Sequence, residues 1–129
     1  MSELREVRLI GTTETDGSLT VTAPYSIFGT LHSIRWVDGD FVNGVDAVIS
    51  MQGTSAPSEA YNVLTLTDAD DDATYYPKEL AHDNAGATLP QGTDKTAVYK
   101  DPLLVGVPRL VVASGGDGKT GGCFLYYHK

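Results

Sequence analysis

Asp38–Met51 reads Asp-Gly-Asp-Phe-Val-Asn-Gly-Val-Asp-Ala-Val-Ile-Ser-Met, and this stretch decides the fold class. Asp38-Gly39-Asp40 and Asn43-Gly44 are tight-turn signals. The run that follows places Val45, Ala47, Ile49 and Met51 on one face and Asp46, Val48 and Ser50 on the other. A period of two behind an Asn-Gly turn predicts a strand entered from a reversal.

The same rhythm extends in both directions. Upstream, Leu4–Ile10 puts Val7 and Leu9 on one face with charged neighbours outside, which predicts a first or edge strand. Asp16-Gly17 turns the chain, and Leu19–Ala23 alternates between apolar and hydroxylated residues up to Pro24. Ile27–Val37 reads as a strand whose phase changes near Ser33, the mark of a bulge, with a bend at Gly29. Downstream, Tyr61–Leu66 is a further strand, and Asp68–Gly86, hemmed by Pro77 and Gly86, reads as a long ordered loop.

Ala97–Tyr99 and Leu103–Val107 look extended, with Pro102 and Pro108 pointing to an edge or crossing strand. Leu110–Ala113 is the strongest buried run. A glycine-rich turn separates it from Cys123–Tyr127, which together read as a C-terminal hairpin. The expectation is an all-β fold: one domain over residues 1–129, an antiparallel β-sandwich or jelly-roll-like barrel of about eight strands.

Composition narrows the function. Nine Lys and Arg against seventeen Asp and Glu give a formal charge of −8, which repels phosphate backbones and anionic lipid surfaces, so neither nucleic acid nor membrane is expected as a partner. No apolar stretch is long enough to cross a bilayer, and the opening residues do not form a signal peptide. One cysteine, Cys123, makes no internal disulfide, which fits a reducing site of synthesis.

Chemistry-bearing motifs are weak. Ala113–Thr120 (ASGGDGKT) satisfies the loose form of a phosphate-binding loop, but only nine residues follow, too few for the helix that such a loop must open into. Asp68, Asp70, Asp72 and Glu79 fall at ligand positions of a twelve-residue calcium loop, yet Ala73 stands where that loop needs glycine and Pro77 interrupts it. A solvated acidic loop is the expectation, with a structural cation site as the alternative. His32, His82 and His128 share no metal-ligand spacing, and neither Cys123 nor any serine sits in a nucleophile motif. No catalytic residue, cofactor or metal is therefore assigned, and the chain is read as a non-enzyme. Seven tyrosines dominate the aromatics, and adjacent pairs such as Tyr75-Tyr76 and Tyr126-Tyr127 suit a protein interface.

Three stretches together resemble the β-rich accessory proteins of tailed bacteriophage particles, of the decoration, cement or connector type. They are REVRLIGTTETDGSLTVTAPYSIFGTLHSIRWVDG (5–39), TYYPKELAHDNAGATL (74–89) and PRLVVASGGDGKTGGCFLYYH (108–128). The resemblance implies a virion protein made in the host cytoplasm that binds the capsid exterior and stabilises the shell. Its partners would be the major capsid protein or other virion proteins and further copies of itself, a trimer being favoured. A head-tail connector or tail component is the alternative, and a carbohydrate-binding sandwich a further one. The contact residues expected are Val7 and Leu9 on the first strand and Tyr75, Tyr76, Pro77 and His82 in the acidic loop.

Overall fold

The computed structural model describes residues 3–53, 60–81, 84–86 and 99–129. It is all-β and carries no helix among them. Ten strands follow in chain order: β1 Leu4–Thr12, β2 Leu19–Thr22, β3 Ile27–Val37, β4 Asp46–Gln52, β5 Tyr61–Leu66, β6 Ala73–Tyr75, β7 Glu79–Leu80, β8 Tyr99–Lys100, β9 Leu103–Ala113 and β10 Thr120–His128.

Eight of these form one antiparallel sheet with the path β1-β10-β3-β9-β4-β5, to which β2 is added on β9 and β6 on β3; β7 and β8 pair separately. The sheet has two halves. In one, β10 lies between β1 and β3, and β6 borders the far end of β3. In the other, β9 lies between β2 and β4, and β5 borders β4.

Period-two patterning explains how the halves close on a shared core. Val7 and Leu9 from β1, Leu31, Ile34 and Trp36 from β3, Ala47, Ile49 and Met51 from β4, Leu104, Leu110 and Val112 from β9, and Cys123 and Leu125 from β10 are all buried together. Trp36 anchors this layer: its indole N–H donates to the Ala69 carbonyl at 3.0 Å, and its ring stacks on Phe41 with centroids 5.7 Å apart. The phase change expected near Ser33 is present, since Tyr126 pairs Ser33 while Tyr127 pairs Leu31, leaving His32 as the extra residue of a bulge.

Three expectations are corrected. The two runs around Pro108 are one eleven-residue strand, β9, which crosses from one half of the sheet to the other: residues 103–106 pair with β3 and residues 107–113 with β4. The change of partner falls at Gly106, whose φ of +120° and close approach to the Gln52 carbonyl leave no room for a side chain. Secondly, the chain from Leu110 to Tyr127 is not a hairpin. β10 pairs with β1 and β3, and the glycine-rich segment carries the chain between halves. Thirdly, the acidic segment is not loop throughout, because it contributes β6 and β7.

Candidate interaction surface

The residues proposed from sequence fall in different places. Val7 and Leu9 are 1% and 0% exposed, so their side chains belong to the core and are closed to any partner. Their strand does lie at the border of the sheet, but edge position exposes its backbone and its outward residues, not this pair. Tyr75 pairs with Ile34 and packs against the core from a half-buried position. Tyr76 points the other way and is 60% exposed, and Pro77 beside it is half-buried. His82 lies outside the described residues.

Tyr76 belongs to a larger feature. On β10 the inward residues Cys123, Leu125 and Tyr127 are core, so Phe124, Tyr126 and His128 stand on the outer face of the sheet. Strand register extends this face sideways. Arg8 on β1, Phe124 on β10 and Arg35 on β3 are aligned, and the Arg35 guanidinium donates to the Thr74 hydroxyl on β6 at 3.2 Å. One row along, Glu6 is opposite Tyr126. Partial burial, with the Glu6 carboxylate beside it, pushes the Tyr126 phenol up.

The bulge then supplies the join between β10 and β6. By inserting an extra residue it aims His32 outward, where its ring meets His128 edge-on at 5.6 Å between centroids and Tyr76 at 6.2 Å. His32 Nδ1 is 2.8 Å from the Ser33 hydroxyl, and His128 Nδ1 is buried with no hydrogen-bond partner among the described residues. The result is an outer face on β1-β10-β3-β6 made of Phe124, Tyr126, His128, His32 and Tyr76, flanked by Arg8 and Arg35. Aromatic and Arg side chains are the types enriched where protein surfaces meet.

Sequence reading reached Tyr76 and the Tyr126-Tyr127 pair but missed Phe124, His128 and His32. A signal was there: Cys123–His128 carries a large side chain at nearly every position, so both faces of that strand need cover and the core supplies only one.

The acidic segment has a different role. Asp70 accepts from the Gly44 amide at 2.7 Å, Asp72 from the Asp38 amide at 2.8 Å, and Asp46 from the Asp68 amide at 3.0 Å. These carboxylates cap separate turns instead of converging, and no cluster of His, Cys, Asp or Glu with metal-holding geometry occurs among the described residues. Burial pushes the Asp38 carboxyl up, reinforced by Asp70, Asp72, Asp71 and Asp40 around it.

In the Ala113–Thr120 segment the Gly115 amide donates to the Gly17 carbonyl at 3.0 Å and the Lys119 amide to the Thr13 hydroxyl at 2.8 Å, and the chain leaves as β10. Those amides tie loops together and do not open toward a helix N-terminus. Burial pushes the Cys123 thiol up to about 12, which keeps it neutral. The described residues enclose no pocket.

Comparisons with protein-family models, with curated proteins and with solved structures returned no match.

Proposed function

We propose that this chain is a non-enzymatic virion structural protein that attaches to the outside of a capsid shell through the outer face of β1-β10-β3-β6. The observation that carries the reading is that Phe124, Tyr126, His128, His32 and Tyr76 gather on one sheet face whose opposite side is already committed to the core. Rings held on strands lose little conformational freedom on contact and exclude water over a large area, which is the physical profile of an interface anchor.

The likeness of residues 5–39, 74–89 and 108–128 to phage accessory proteins supplies the class of partner, the major capsid protein. Each subunit-lattice contact in such an arrangement is weak alone. A symmetric oligomer, with a trimer favoured, multiplies it by tethering.

The test is cosedimentation of purified protein with emptied capsid shells, followed by imaging. Saturable binding over the shell surface that is lost in the Tyr76→Ala, Tyr126→Ala double variant is the expected result. Binding confined to a single vertex would transfer the protein to the connector, and no binding at all would remove the proposal.

A further inference from the structure

A second surface lies on the other side of the molecule's longest central strand. Where β9 pairs with β3, over Leu103–Gly106, its opposite edge has no strand beside it, because β4 joins β9 only from Val107 onward. A bare stretch of sheet edge presents main-chain donors and acceptors that another strand can use. Here they are occupied by a side chain. The Tyr61 hydroxyl, at the start of β5, donates to the Leu103 carbonyl at 2.8 Å and accepts from the Val105 amide at 3.1 Å.

These two groups are mutually complementary across a twofold axis. If a second β9 is placed antiparallel with Leu104 on the axis, the Val105 N–H of each copy faces the Leu103 carbonyl of the other, which is the pairing rule of an antiparallel ladder. The surroundings fit. Phe28, opposite Val105 on β3, is 68% exposed, and Leu103, Val105 and Tyr61 are exposed as well.

Charge points to the same occupant. Two copies of a chain at −8 repel at most orientations, but residues 102–108 contain no charged side chain. Asp101, the nearest acidic residue along the strand, is already bonded to Lys78 and would lie opposite Val107 of the second copy.

We infer that the Leu103–Val105 edge of β9 is a strand-pairing site for a second copy of this chain, held shut by the Tyr61 hydroxyl. The hydroxyl acts as a stopper: it satisfies the edge in the separate subunit and must leave for two edges to meet. The inference is independent of the partner taken by the aromatic face.

The experiment compares wild type with Tyr61→Ala by sedimentation velocity over a range of concentrations. Tyr61→Ala is expected to double the wild-type mass as concentration rises. Adding Val105→Pro, which deletes the donor pointing away from β3, is expected to return the mass to the wild-type value. Hydrogen exchange gives a second readout on the same samples, since the Val105 amide in Tyr61→Ala should become protected as concentration increases. If Tyr61→Ala does not fold, Tyr61→Phe, which removes the two bonds and keeps the ring, is read the same way. An unchanged mass in the folded variant, a doubling that survives Val105→Pro, or fast Val105 exchange at every concentration would each overturn the inference.

Discussion

The two halves of the sheet share a core but carry opposite kinds of outer surface. Across β1-β10-β3-β6 one row reads Arg8, Phe124, Arg35, Thr74; across β2-β9-β4-β5 the corresponding row reads Thr20, Val111, Val48, Thr65. The second surface is made of short β-branched side chains that pack sideways on the pleat. Its polar groups engage one another, with Gln52 donating to the Ser50 hydroxyl at 2.8 Å and the Arg109 guanidinium lying 3.4 Å from the Gln52 carbonyl oxygen. Ser50 is only 6% exposed although it faces outward. That surface is finished by its own residues. The aromatic one holds rings and a buried, unpartnered imidazole nitrogen, and nothing in the chain's described residues covers it. One fold thus provides a face that water can complete and a face that another surface must complete.

The contrast is open to direct attack. Its premise is that stability resides between the faces, so Trp36→Ala is expected to cost about 3–5 kcal/mol in urea unfolding, from the lost ring volume and the indole bond to Ala69. On the self-covered face, Arg109→Ala is expected to cost about 1 kcal/mol, because it uncovers the Gln52–Ser50 pair. On the aromatic face, Tyr76→Ala should change stability by no more than about 0.5 kcal/mol while weakening shell binding. If Tyr76→Ala destabilised the fold more than Arg109→Ala, the division between a structural and a contact face would collapse.

The smallest effect concerns the acidic turn next to Arg35. Asp38 holds its proton more tightly in the folded chain than in the unfolded one, so the unfolded state loses that proton first as pH rises. The penalty therefore develops as pH climbs from the ordinary carboxylate range through the raised folded value, and it persists at neutral pH. Asp38→Asn is expected to raise the melting temperature at pH 7, with the gap to wild type closing on acidification. A gap that widens in acid would mean that Asp38 is instead stabilised as a carboxylate.

Much of this architecture was legible in the residues. The Val45–Met51 alternation, the burial of Val7 with Leu9 and the phase change at Ser33 all follow from side-chain period, a local property that sequence displays directly. What stayed hidden depends on neighbours distant in the chain. Pro108 looked like a strand breaker, but its carbonyl receives the Ala23 amide and its missing N–H faces the gap between the end of β2 and the start of β3, where no ladder bond is needed. β6 is three residues long and exists because half of β3 would otherwise be bare, which nothing within Ala73–Tyr75 announces. The aromatic face was half visible, because its residues come from β10, a bulge and β6, and only register brings them together.

The crossing of β9 from one half of the sheet to the other has a mechanical consequence. A tug on the aromatic face passes through β3 into residues 103–106 and from there, along covalent bonds, into the middle of the far half. The halves cannot peel apart like two stacked plates. Parting them requires the ladder on each side of Gly106 to slip lengthwise, rupturing many bonds at once instead of one after another, and a particle coat built from such subunits would resist sudden strain better than the modest size of each domain suggests.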